Sequence, residues 1–239
     1  MKLIINPEIF QKFAPVQIGV VVLENINNRS DIDAWFDAEY AAVSGAVADK
    51  FEGIELSAYP VIRRWRDIYK SFGEKDARSS IEALIKRVKN GKGLYRVNPL
   101  VDIYNIASLK FELPAGGENL DAIGTDMELT MAAGGEKFQP IGDAPVESVN
   151  AGEVIYKFGD TVVCRNFNYR ESDVTKLTDD TTRAIIVFED AIGDPPAQGY
   201  GETNLRAAMD YIGEQTGRLL GARVVKTAIL TADNNAVEL

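Results

Sequence analysis

The sequence predicts an α+β fold, a mixed β-sheet core flanked by helices. Strand-like apolar runs lie far apart along the chain, at residues 3–5, 16–23, 127–133, 184–188 and 222–230. Between them fall stretches with helical spacing and helix-end signals, the clearest within residues 78–105, RSSIEALIKRVKNGKGLYRVNPLVDIYN.

Taken in order, residues 3–5 and 16–23 read as strands, the second (QIGVVVLENI) apolar enough for a sheet interior. Residues 31–50 read as a helix with acidic residues in its first turn. A further helix over 60–72 repeats Trp65, Ile68, Tyr69 and Phe72 at helical spacing, a stripe that fits a core better than a ligand site. Ser79 and Glu82 have capping-box spacing ahead of Ile81, Ala83, Leu84, Ile85 and Val88, so a helix starts there and stops near Asn90 and Gly91. After a short strand-like link, Asn98 and Pro99 have the form of an N-cap followed by proline at the first helical position, which predicts a helix over 99–110. Leu100, Val101, Ile103, Tyr104, Ile106, Ala107 and Leu109 leave almost no polar face on it, so it is buried.

Downstream, residues 114–119 read as a glycine-bearing loop, 127–133 as a short strand and 152–167 as a hairpin turning at Gly159 and Asp160. The run 184–188 is a buried strand ending in Glu189 and Asp190, at the kind of position where α/β folds place site residues. A helix over 202–220 and a closing strand over 222–230 complete the reading, with 231–239 expected to fray. GKGL at 91–94 and GYGETN at 199–204 lack the spacing of a phosphate loop or a dinucleotide fingerprint and read as turns. No linker composition, internal repeat or low-complexity tract divides the 239 residues, so a single domain over 1–239 is expected, with an N-terminal α/β section at 1–77 and a C-terminal helix and strand at 191–239.

Composition excludes several chemistries. The chain has no histidine, which removes Ser-His-Asp and Cys-His catalysis and histidine-containing zinc sites. One cysteine allows neither an internal disulfide nor a cysteine-rich metal site, and the expected setting is a reducing cytoplasm. The N-terminal MKLIINPEIF has no secretory signal, and no apolar run is long enough to span a bilayer, so no membrane partner is expected. At 46% hydrophobic and 26% charged residues the chain can bury a real core. The net charge of -10 opposes a polyanionic partner overall, yet the segment 61–110 is rich in Lys and Arg. That segment offers either a basic face that steers a phosphate backbone or an ordinary solvated helix surface, and nucleic-acid binding through it is expected to be weak and salt-sensitive.

Two polar residues interrupt the buried helix, Asp102 and Asn105, adjacent on one face at i,i+3. A buried carboxylate must be hydrogen-bonded or open onto a cavity, so Asp102 marks either a network fixing the preceding loop or a site. A second polar run, residues 165–175 (RNFNYRESDVT), is expected to face the stretch 78–105. Arg165, Asn168 and Arg170 alternate on an extended segment, so only some can enter one cavity, where an arginine would suit a carboxylate or phosphate. The alternative pairs Arg165 or Arg170 with Asp102 or Glu189 to hold the loops, and Ser172 and Thr175 serve equally well as turn formers.

These motifs carry a resemblance. RSSIEAL, GKG, NPLVDIYN, SL, GGE and CRNFNYRESDVTK resemble the B3/B4 editing domain of the bacterial phenylalanyl-tRNA synthetase beta subunit, and more closely the free-standing B3/B4-domain proteins, over residues 78–190. The resemblance implies a B3/B4-like fold and an editing pocket. Asn98, Asp102 and Asn105 fall on matching positions of its helix, and Glu189 on the strand-terminal glutamate that reads the phenol hydroxyl of misactivated tyrosine. Gly116 stands where the family has the histidine of a Gln-Pro-Leu-His turn, and Arg165, Asn166, Phe167, Asn168 and Tyr169 stand where it has flexible glycines, so tyrosine specificity does not transfer.

The function implied is a trans-editing hydrolase that cleaves the ester of a mischarged aminoacyl-tRNA, a soluble RNA-binding protein with aminoacyl-tRNA and not DNA as its partner. An activated ester needs only a positioned water and donors for the oxyanion. Asn98, Asn168 and Glu189 are the candidate catalytic residues, with a vicinal ribose hydroxyl standing in for the missing histidine. Asp102, Asn105, Gly116, Arg165, Arg170 and Ser172 are the candidate substrate-binding residues. The reaction needs no cofactor and no metal. Without a synthetase core, ATP-dependent aminoacylation is not expected. The alternatives are a non-catalytic binding module for tRNA, a free amino acid or a small metabolite, and a structural partner of a synthetase whose pocket would be filled.

Overall fold

The apolar run at 16–23 becomes β2 (Gln17–Glu24), and its burial explains the architecture around it. In the computed structural model, which describes residues 1–142, 144–192 and 200–239, Ile18, Val20, Val21, Val22 and Leu23 are all fully buried. A strand buried on both faces must lie inside a sheet that is covered on each side. β2 accordingly lies between β10 (Arg183–Asp190) and β11 (Arg223–Leu230), and β3 (Ala115–Asn119) pairs with the other edge of β10. All pairings in this sheet are antiparallel.

The second sheet is mixed. Its order is β12 (Ala236–Glu238), β1 (Lys2–Ile5), β4 (Met127–Met131), β7 (Val154–Phe158), β8 (Thr161–Arg165), β5 (Lys137–Phe138) and β6 (Glu147–Ser148), with β9 (Arg170–Glu171) also pairing with β8. β1 runs parallel to β4 and β5 parallel to β8, and the other pairs are antiparallel.

Helices cover the sheets. α6 (Glu202–Leu220) packs on β2, β10, β11 and on α5 (Pro99–Phe111). Gly19 permits this: a Cβ there would stand 3.0 Å from Met209 Sδ, so the missing side chain lets α6 approach the sheet. α5 is buried along most of its length, packed by α2 (Asp33–Lys50) and α4 (Ser80–Lys89) as well as α6. The stripe on α3 (Pro60–Ser71) is core, as its spacing predicts: Trp65 and Tyr69 are fully buried and Trp65 packs edge-on against Phe167, ring centres 5.3 Å apart. Both cap predictions hold. Ser79 accepts from the Glu82 amide at 3.4 Å, and Asn98 accepts from the Val101 amide at 3.1 Å with Pro99 opening α5.

The structure corrects three expectations. Residues 115–119 are not a loop but edge strand β3, because two adjacent glycines pair with Ile186 and Val187 of β10 where side chains would clash. The C-terminus is not frayed: β12 pairs with β1, Val237 is buried, and the Leu239 amide donates to the Met1 carbonyl at 2.9 Å. Residues 91–97 form no strand, whereas β10 does end in Glu189 and Asp190 as expected. A helix absent from the sequence reading, α1 (Pro7–Phe13), starts from Asn6 and Pro7 with the same cap chemistry as α5. Gly91 lies in a turn as expected and Gly93 has left-handed backbone outside any turn, whereas Gly199 lies outside the described residues and Gly201 caps α6. Among the described residues, no helix is long and apolar enough to cross a membrane.

Candidate functional site

The residues singled out in sequence separate into three places. The first is the start of α5, beside a surface groove lined by Asn28, Arg29, Asp33, Arg96, Asn98 and Asp102 among others. Asn98 Oδ1 accepts from the Val101 amide and from Asn28 Nδ2 at 3.0 Å, and its Nδ2 donates to the Leu177 carbonyl at 3.0 Å. Asn28 in turn accepts from the Leu100 amide and donates to the Thr178 carbonyl, both at 2.8 Å. Thus the two asparagines tie α5 to β2's exit loop and to the segment before β10. Asn98 is engaged by the fold and does not join Asn168 and Glu189. Asp102 accepts from Arg96 Nε at 2.6 Å and from the Val97 amide at 3.2 Å, so it fixes the loop that enters α5. Burial still pushes its carboxyl up, outweighing the pull of Arg96 and Val97. Asn105, half-buried, does not line the groove.

The second place is a charged cluster on one side of the β8–β9 pair. Register sets it: Arg165 faces Arg170 and Cys164 faces Glu171, so alternate residues point to opposite sides. Arg165 is held bidentately by Glu153, Nε to Oε2 at 2.9 Å and Nη2 to Oε1 at 2.7 Å, and reaches Glu147 Oε2 at 2.5 Å. Arg170 grips both oxygens of Glu147 at 2.9 Å, and both guanidinium groups lie over the Phe138 ring. Neither arginine lines the interior cavity, and neither pairs with Asp102 or Glu189. Ser172 donates to the Gln139 carbonyl and accepts from the Val174 amide, both at 3.2 Å, which makes it a turn former.

The third place is a small cavity between the two sheets, where Asn168, Glu189 and Gly116 do come together. Gly116 and Glu118 of β3, and Val187 and Glu189 of β10, form one wall. Met127 of β4, Tyr156 of β7, Cys164 of β8 and Glu171 of β9 form the other, with Phe167 and Asn168 between. Water centres can occupy only about 10 Å³ of it, room for about one water. Asn168 arrives on a strained turn. Asn166 and Phe167 both have left-handed backbone, at φ 54° and 58°, a conformation that costs a bulky residue about 1–2 kcal/mol. Phe167 is held there by Phe13 and Trp65, with ring centres 5.4 and 5.3 Å away. Asn168 Nδ2 then donates to Glu189 Oε2, while its Oδ1 accepts from the Ser80 amide at 2.8 Å and hydroxyl at 3.1 Å. The expected facing of the stretches 78–105 and 165–175 is therefore real, through Ser80 and Asn168.

Glu189 is fully buried and accepts from the Tyr156 hydroxyl at 2.8 Å. Burial raises its carboxyl to about 8, with Glu171 adding to the rise, although the bonds from Asn168 and Tyr156 pull it down. Burial also pushes up Glu118, which Glu171 raises further, as well as Glu171 itself, the Tyr156 phenol and the Cys164 thiol. A carboxyl titrating near neutral pH, beside room for a water, can exchange protons with a bound group. Among the described residues, no cluster of His, Cys, Asp or Glu is arranged to hold a metal ion.

Sequence reasoning missed Glu118, Glu171, Tyr156 and Cys164. Cys164 and Glu171 flank Arg165 and Arg170 and therefore point to the opposite side, but which side meets the cavity depends on the register of β9 against β8. The basic excess of 61–110 is largely engaged within the protein: Arg66 holds Glu82 bidentately, Arg64 donates to the Phe13, Ala14 and Ala191 carbonyls, and Lys89 to those of Phe51 and Ile54.

Comparison with known proteins adds the family. No curated protein matches the chain. Among solved structures, an N-terminal fragment of the phenylalanyl-tRNA synthetase beta-subunit from Pyrococcus horikoshii is similar over 93% of this chain, at 11% identity and a TM-score of 0.46. The match covers 49% of that fragment, so this chain spans about half its length. The B3/4 domain profile matches residues 64–195, beginning inside α3 and taking in both α5 and β10. The match covers more than half of the sequence, and the chain belongs to the B3/4 domain family.

Proposed function

We propose that this B3/4 domain protein acts in trans on aminoacyl-tRNA, hydrolysing the ester of a mischarged species, with the whole chain working as one unit. The observation that carries the reading is the buried Glu189 carboxyl, raised to about 8 and aligned by Asn168 and Tyr156 beside room for one water. In the reaction, ionised Glu189 takes a proton from that water as its oxygen bonds to the ester carbon. Collapse of the tetrahedral intermediate breaks the bond to the ribose oxygen, and Glu189 returns the proton to that oxygen. The products are the free amino acid and uncharged tRNA. A group titrating within about a unit of neutral pH suits both transfers. Asn168 positions Glu189, and Asn98 and Asp102 position α5 and its entry loop. The test is release of amino acid from mischarged tRNA, compared between wild type and Glu189→Gln.

One observation favours a second reading, a binding module without turnover: the cavity is enclosed and admits little more than one water. On that reading a ligand is retained, with no release of product.

A further inference from the structure

The basic residues that the fold does not engage collect at the end of α4 and in the loop after it. Residues 83–101 contain Lys86, Arg87, Lys89, Lys92 and Arg96, and no Asp or Glu. With these five cations set aside from the net charge of -10, the rest of the chain carries -15. Lys89 is engaged by carbonyls, and Arg96 is held by Asp33 and Asp102. Lys86, Arg87 and Lys92 form no ion pair among the described residues, and both lysines are exposed. Complementing the helix dipole accounts for cations in the last turn of α4, but not for what lies beside them. Tyr95 is 71% exposed, the most exposed large hydrophobic side chain among the described residues. It is nevertheless fixed. The Arg87 guanidinium lies over the ring, 3.7 Å from its centre, and Arg87 is itself anchored, Nε to the Gly93 carbonyl at 2.9 Å and Nη2 to that of Lys92 at 3.3 Å. One face of the ring is thus backed by a cation and the other is open to solvent.

From these relations we infer that the end of α4 and the loop after it bind single-stranded RNA, with a base stacked on Tyr95 and phosphates on Lys86 and Lys92. A pre-positioned ring takes any base, because every base has a π-face, and the unpaired lysines beside it track the backbone. Lys86 also lines, with Lys89 and Asn90, a groove of about 330 Å³ that gives the backbone room along the helix end. An acidic peptide would meet the lysines and leave the ring unused, and a duplex keeps its bases stacked within itself. The negative charge on the rest of the chain repels a polyanion from other faces and turns it toward this one. α4 joins this surface to the proposed site: Ser80 in its first turn bonds Asn168, which bonds Glu189, and the last turn lies roughly 13 Å further along the helix axis. The inference deepens the proposed function by giving the RNA of its substrate a resting place. The choice of RNA rests on that reading, and the surface is tested separately from turnover.

The experiment is fluorescence anisotropy of the full chain with a labelled, unstructured RNA of about 12 nucleotides, with the same strand in a duplex, and with polyglutamate as competitor. The single strand is expected to bind about tenfold or more tightly than the duplex, and polyglutamate should not displace it at equal charge. Tyr95→Ala should weaken binding about tenfold and leave the salt dependence unchanged. Lys86→Gln with Lys92→Gln should instead lower the slope of log affinity against log salt by about 1.4, two phosphate contacts on a single strand. No binding at low salt, equal binding of the duplex, displacement by polyglutamate, or wild-type affinity in Tyr95→Ala overturns the inference. The first three are read on wild-type protein, so they stand even if a variant fails to fold. RNA binding of this kind without release of amino acid from any charged tRNA sinks the hydrolase and leaves the surface standing. Release from a mischarged tRNA below saturation that the triple variant leaves unchanged overturns the surface and leaves the hydrolase standing.

Discussion

The Tyr156 hydroxyl donates to Glu189 Oε1 at 2.8 Å across the space between the two sheets, joining β7 to β10 through a carboxyl that burial raises to about 8. In the unfolded chain the same carboxyl titrates at about 4.3. Between those values the folded protein binds more protons than the unfolded one, so stability falls as pH rises through this window and levels off above about 8. Urea unfolding from pH 5 to 9 should show this decline, and Glu189→Gln should make it shallower, the remainder coming from Glu118 and Glu171, which burial raises as well.

Asn98→Ala should destabilise the protein by about 2–3 kcal/mol, adding the loss of an N-cap to the loss of the bonds that Asn98 makes with Asn28 and with the Leu177 carbonyl. Denaturant midpoints measure this. The folded fraction should keep its Glu189 chemistry, since Asn98 lies at the far end of α5's network from the cavity.

How much of this was legible in sequence follows from where each signal lies. Caps and buried helices are local, so Ser79, Asn98, Pro99 and the α3 stripe could be read directly. Both glycines of β3 read as a loop because glycine is the usual turn former, and here they serve close approach to Ile186 and Glu171 instead. β12 escaped because its partner, β1, is at the opposite end of the chain. The candidate site was half legible. Glu189, Asn168 and Gly116 meet, whereas the choice between Arg170 and Glu171 depends on the register of β9 against β8, which no local pattern states. Nor does any glycine mark the left-handed turn at Asn166 and Phe167, which is enforced by aromatic packing from Phe13 and Trp65.

Arg165→Met should cost about 3–5 kcal/mol, because it strands the buried Glu153 carboxylate. Adding Glu153→Gln should recover much of that loss, and a double-mutant cycle from equilibrium unfolding measures the coupling. Neither change should alter ligand preference, as the pair lies on the side of β8 away from the cavity.

Gly116→Ala should displace the Glu171 carboxyl, with a loss of about 1–3 kcal/mol and closure of the remaining space. Denaturant midpoints should record the loss, with secondary structure by circular dichroism unchanged.

The most direct test of the central claim is release of labelled amino acid from a panel of correctly and incorrectly charged tRNAs, with wild type and Glu189→Gln side by side. The account predicts selective release from mischarged species, reduced about a hundredfold or more in the variant. No release above the spontaneous rate across the panel, or release that Glu189→Gln leaves unchanged, would contradict it.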